Sequence, residues 1–336
     1  MLLAPFVRTI TSVPATQSFF TPLLSLLGCL ALLIASPQTS KAADATPTSI
    51  IVPFVDNQGL ILIRGKVGKQ TGHFILDTGA NGLVLNDAHF SSYNSAGKRA
   101  YGLQGGIAVG RLSLPSFTLG PLRFGATAAQ VIDLRRIEDR TQHKLLGLIG
   151  YRVLEAYEIT LDYRMQEIIF TPLDAVGNPL VPVAHAAKKV DSLGFSLAKF
   201  LPVITVRIDG QARRMGIDTG AEYNLLEVEV AKRLGSNFQQ TGSVKLYSSD
   251  GRINTQQAGK LARLVLGKRY KCGRMGTLLV DFQYFDKIYQ TQLDGILGKE
   301  FLAPWIFSIN YRKQLLYIHE MRFVPPVAGN EVTAAN

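Results

Sequence analysis

Short apolar runs alternate with glycine and polar turn residues along most of the chain, which predicts many β-strands joined by tight turns. Leu60-Ile61-Leu62-Ile63 passes through Gly65 to Lys69 and returns as His73-Phe74-Ile75-Leu76. Pro202 to Ile208 turns at Asp209-Gly210 and returns through Arg214-Met215-Gly216-Ile217. Asp-Gly between two apolar strands is a strong hairpin signal. Each hairpin predicts a strand that ends at an aspartate, where the chain must turn.

The pattern then runs twice. A second short strand follows each aspartate, at Leu83-Val84-Leu85 and at Leu225-Leu226. Next comes a polar, glycine-containing tip headed by a tyrosine: Tyr101-Gly102-Leu103-Gln104-Gly105-Gly106, then Tyr247-Ser248-Ser249-Asp250-Gly251. Alternating strands follow over 112–124 and 261–272. Apolar strands ending in glycine follow those, at Leu146 to Gly150 and Asp294 to Gly298, each leading into a short helix (Val153-Leu154-Glu155 and Phe301-Leu302). Each unit closes on a strand pair whose turn contains Tyr-Arg, at 163–164 and 311–312. The two aspartates, Asp77 and Asp218, lie 141 residues apart. A period this long indicates two similar lobes and not a solenoid.

Composition narrows the class. The 336 residues are 47% hydrophobic with 31 Gly and 15 Pro, enough for two lobes. The formal net charge is +11; residues 1–42 hold Arg8 and Lys41 but no acid, so the remainder carries +9. The charges are scattered, which reads as a soluble basic surface without a nucleic-acid stripe. Phe19 to Ala35 is uncharged and is followed by Ser40-Lys41-Ala42, which fits a secretory signal cut before Ala43. The alternatives are an uncleaved anchor and lipidation at Cys29. All three place the rest of the chain outside the cytoplasm, secreted or periplasmic in the first case and membrane-anchored in the others. Cys272 is then alone, which excludes an internal disulfide and a cysteine metal site. It is expected on a half-buried strand.

The candidate chemistry lies at the two aspartates. Each begins Asp-Thr-Gly-Ala at the end of an apolar run: Asp77-Thr78-Gly79-Ala80 and Asp218-Thr219-Gly220-Ala221. Two carboxyls in matching local sequence suggest a pair sharing one proton, suited to acid–base chemistry on water. The five histidines are isolated, and no serine elbow or phosphate loop occurs.

The order and spacing of these elements, over roughly residues 58–320, resemble the pepsin/retropepsin aspartic proteases, closest to bacterial secreted forms with two retropepsin-like units in one chain. The resemblance implies an all-β fold of two similar β-barrel lobes, related by a pseudo-twofold axis around a central cleft. It implies an Asp77/Asp218 catalytic dyad, with Thr78 and Thr219 tying the two turns together and Gly79 and Gly220 bringing amides to the carboxyls. It also implies substrate-binding flaps carrying Tyr101, Gly105 and Gly106 in one unit and Tyr247 and Gly251 in the other. Tyr101 and Tyr247 read equally as ordinary strand aromatics.

The expected organisation is a signal or anchor over 1–42, lobes over 43–171 and 199–322, a connector over 172–198 and a tail over 323–336. The expected function is an aspartic endopeptidase, monomeric, acting on polypeptide with no metal, cofactor or nucleic-acid partner. A membrane enters only if the N-terminal segment is retained or lipidated. The alternatives are a peptide-binding or scaffold protein that keeps the fold without turnover, and units that each dimerise with a counterpart in another molecule. Pepsin-like enzymes more often carry Ser or Thr where Ala80 and Ala221 stand. A hydroxyl there would lower the carboxyl pKa, so an optimum around pH 4–6 is expected.

Overall fold

A computed structural model describes residues 25–26, 49–90, 94–102, 105–182, 188–248, 253–267 and 270–320. The N-terminal segment apart from 25–26, the tail from 321 and the tip residue Gly251 lie outside the described residues.

The chain is mostly β and repeats one unit twice. Strand Leu60–Val67 pairs antiparallel with Gln70–Leu76, and Leu201–Ile208 pairs likewise with Gln211–Ile217. The apolar-glycine strands slot in beside the second arm of each hairpin. Leu145–Ile149 runs parallel to Gln70–Leu76 and antiparallel to Val84–Asn86. Gly295–Leu297 does the same between Gln211–Ile217 and Asn224–Glu227. The Asp-Thr-Gly loop of each unit therefore wraps the end of this inserted strand. The crossing is close enough to demand glycine. A Cβ on Gly147 would lie 1.8 Å from the Val84 carbonyl oxygen, and one on Gly295 would lie 2.4 Å from that of Leu225.

Each unit adds a long hairpin, Asn94–Gly102 with Gly105–Leu114 and Phe238–Ser248 with Ile253–Leu261. Each then has a short helix, Arg135–Thr141 or Gln283–Tyr289, that pattern reading did not anticipate.

The units meet in a run of six strands within one fifteen-stranded sheet. Its order is Lys189–Gly194, Leu315–His319, Ile306–Asn310, Tyr157–Asp162, Glu167–Pro172, Ile50–Asn57, and the last pairs on with Leu60–Val67. Three strands come from each unit. At the central pairing Thr160 faces Ser308, and their hydroxyl oxygens lie 2.7 Å apart. These two residues hold the same place in the repeat, so the pseudo-twofold axis passes between them. The stretch 172–198 carries two strands: Lys189–Gly194 on the sheet edge, and Ser196–Ala198 against Leu201–Ile208. The first is held by backbone pairing and is largely exposed, so it carries no apolar pattern.

Candidate active site

Strand geometry delivers both aspartates to the axis. The Asp77 amide donates to the Ile149 carbonyl at 2.9 Å, and the Asp218 amide donates to that of Leu297 at 3.0 Å. Each turn then closes on itself. Ala80 N donates to Asp77 O at 3.1 Å, and Ala221 N donates to Asp218 O at 3.2 Å.

The threonines lock the two turns to each other. The Thr78 amide donates to Thr219 Oγ1 at 3.1 Å, and the Thr219 amide donates to Thr78 Oγ1 at 3.0 Å. Each hydroxyl passes its own proton across, Thr78 to the Ile217 carbonyl and Thr219 to that of Leu76, both at 2.9 Å. All four groups are buried, so each bond also spares a polar group an unpaired burial.

The exchange sets the carboxyls against each other. Asp218 Oδ1 accepts from its own Gly220 amide at 2.8 Å and from the Gly79 amide of the other turn at 3.3 Å. A Cβ on Gly79 would come 2.6 Å from Asp218 Oδ2, so the approach depends on glycine. Asp77 and Asp218 are both fully buried. Burial lifts Asp77 from 3.8 to about 6, against the opposing pull of the Gly79 and Ala80 amides. Burial and then the Asp77 charge push Asp218 well above the usual carboxylate range. Such a pair retains a proton well above the pH at which an isolated aspartate ionises.

A family model described as aspartyl protease matches residues 63–153 and 204–301. The chain belongs to the aspartyl protease family. Among solved structures it is similar to an aspartic proteinase from Irpex lacteus, with 10% identity and a TM-score of 0.47, covering 81% of this chain and 97% of that one. It is also similar to basic 7S globulin from soybean, with 12% identity and a TM-score of 0.48, covering 82% and 95% respectively. No curated protein matches by sequence.

Of the residues the sequence pointed to, the structure of this family member brings together Asp77, Thr78, Gly79, Asp218, Thr219 and Gly220. Tyr101, Gly105 and Gly106 lie at the end of the first long hairpin, with Tyr101 opposite Gly106 and Gly102 opposite Gly105. Tyr247 lies near the end of the second, opposite Ile253. Among the described residues no group of His, Cys, Asp or Glu is placed to hold a metal ion.

Several neighbours escaped the sequence reading. The buried Tyr289 hydroxyl reaches from the second unit to the Gly79 carbonyl at 3.4 Å. Asn224 Oδ1 accepts the Gly298 amide at 2.9 Å and fixes the end of the inserted strand. Glu222, directly after the second Asp-Thr-Gly-Ala, is buried against Arg140 of the first unit at 2.5 Å. Burial pushes its carboxyl up to about 8, a rise that the Arg140 and Lys299 charges limit. The one available signal was that Glu222 replaces the Asn81 of the first copy.

Proposed function

We propose that the protein is an aspartic endopeptidase working through Asp77 and Asp218. The supporting observation is the Gly79 amide of one turn bonding the Asp218 carboxyl of the other, which makes the two buried carboxyls neighbours. With one proton between them, the ionised carboxylate takes a proton from a water molecule, and the water oxygen attacks the peptide carbonyl. The protonated partner donates a hydrogen bond to the carbonyl oxygen as charge builds there. When the C–N bond breaks, the proton taken from water goes to the leaving nitrogen, and the dyad returns to its starting state. The segment Phe19 to Ala35 supports action outside the cytoplasm.

The test is hydrolysis of a denatured polypeptide by the mature chain between about pH 3 and 7, with Asp77→Asn and Asp218→Asn beside it. Cleavage by wild type alone, blocked by a tetrahedral-intermediate analogue, is the expected result. Equal behaviour of all three proteins would overturn the proposal, and peptide bound without cleavage would favour the binding-protein alternative.

A further inference from the structure

The two units are copies, yet the seam between them is not symmetric. On one side of the axis it is ionic. Arg140, at the end of the helix Arg135–Thr141, contacts Glu222 of the second unit at 2.5 Å, with side-chain exposures of 10% and 1%. Lys299 of the second unit contacts Asp56 of the first at 2.7 Å. Both ion pairs cross the boundary, and they lie together. Glu222 sits over Gly59, where a Cβ would come 2.9 Å from its Cγ, and Gly59 closes the same turn as Asp56.

The other side of the axis is aromatic. Tyr151 packs edge-on against Tyr311 at 5.1 Å, and Tyr289 packs against Phe200 at 5.6 Å while reaching Gly79.

The repeat supplies the comparison. Glycines at the same step, Gly150 and Gly298, begin the helices Tyr151–Leu154 and Lys299–Leu302, so Lys299 is the counterpart of Tyr151. The helices Arg135–Thr141 and Gln283–Tyr289 end on left-handed Gln142 and Gln290, so Arg140 is the counterpart of Ile288. Left-handed Gln58 and Lys199 close the first turns, so Asp56 is the counterpart of Leu197. Glu222 is the counterpart of Asn81. Two first units facing each other would set Arg140 against an uncharged amide and Asp56 against Tyr151. Two second units would set Glu222 against Ile288 and Lys299 against Leu197. Arg140 and Glu222 are buried and would each lose their partner, so both self-pairings are penalised while the pairing of unlike units is not; the more exposed Asp56 and Lys299 add less.

We propose that these two ion pairs are a matching device that makes the inner face of each unit complementary to the other unit of this chain and not to a copy of itself. The partner surface for either face is the unlike unit, so the dyad assembles as Asp77 with Asp218 and not as two copies of one aspartate. Assembly of the two units in this way is independent of whether the dyad cleaves peptides.

The test uses the full mature chain at about pH 9, above the value to which burial lifts Glu222. Wild type, Arg140→Glu, Glu222→Arg and the double exchange are compared by sedimentation and thermal unfolding. Wild type should be monomeric. Each single reversal should lower the melting temperature and promote association, and the double exchange should restore both the monomer and most of the lost melting temperature. If the single variants do not fold, Arg140→Gln, Glu222→Gln and their combination give the same cycle by urea unfolding. A dimeric wild type, or effects of the two positions that simply add, would overturn the proposal.

Discussion

Tyr163 and Tyr311 are the same residue of the repeat, and each stands edge-on to a phenylalanine that is itself repeated. The Tyr163 ring lies 5.8 Å from Phe54 at 81°, and the Tyr311 ring lies 6.2 Å from Phe195 at 80°. Both are buried, and neither hydroxyl has a hydrogen-bond partner among the described residues. Burial holds both phenols above their usual range, with the Asp218 charge adding to each shift. Their contribution is therefore ring packing. Tyr163→Phe and Tyr311→Phe should change stability by less than about 1 kcal/mol. Either residue to Ala should cost about 3–5 kcal/mol. Urea unfolding of the four variants separates the ring from the hydroxyl, and a larger loss on going to Phe would contradict this assignment.

The threonine exchange should be worth more than one ordinary hydrogen bond. Removing the Thr78 hydroxyl leaves the Thr219 amide and the Ile217 carbonyl buried and unpaired. Thr78→Ala is expected to cost about 2–4 kcal/mol, and Thr219→Ala about the same because its partners are the mirror set. Thr78→Ser keeps both bonds and should recover most of the difference. Calorimetric melting of the three variants checks it; equal losses for Ser and Ala would refute the hydroxyl argument.

Gly79 offers a test of the carboxyl geometry. A methyl group there would lie 2.6 Å from Asp218 Oδ2, so the carboxylate or the turn must shift by several tenths of an ångström. Displacements approaching 1 Å cost about 100-fold in rate when reacting groups are pre-aligned. Gly79→Ala should therefore reduce peptide hydrolysis by about that factor while circular dichroism stays native-like. Near wild-type kcat/KM would mean that the carboxyl does not need this position.

The dyad also sets a pH dependence of stability. Asp77 ionises near 3.8 when unfolded and at about 6 when buried, so between these values the folded state binds more protons than the unfolded state. Stability then falls as pH rises through this window. Asp77→Asn mimics the protonated form and should be more stable than wild type above about pH 6, with little difference below about pH 4. Melting temperatures across this range decide it; parallel curves for the two proteins would exclude an elevated Asp77.

Much of this architecture was legible because it is written locally and written twice. Asp209 and Gly210 both adopt left-handed backbone at the hairpin where Asp-Gly pointed to a turn. Cys272 is half-buried on strand Tyr270–Cys272, as its alternating surroundings implied. The shared Tyr-Arg marked equivalent turns, though not that both tyrosines are buried within reach of the Asp218 charge. What stayed hidden depends on tertiary contact or weak periodicity. In the helix Arg135–Thr141 only Ile137 and Thr141 are buried, too few to announce a helical face. Arg140 and Glu222 are 82 positions apart in sequence, and no local pattern joins them.

The pairing at the centre of the six-strand run constrains the order in which the molecule can be made. Tyr157–Asp162 bonds to Ile306–Asn310 across a separation of 148 residues at Thr160 and Ser308. A contact so distant along the chain closes a long loop and forms slowly. During synthesis the first unit emerges well before the second. Until Ile306–Asn310 arrives, the strand Tyr157–Asp162, buried along nearly its whole length in the finished protein, is an open sheet edge, the kind of surface on which chains aggregate. The axis that joins the lobes in the finished protein is, in the nascent one, an unpaired edge.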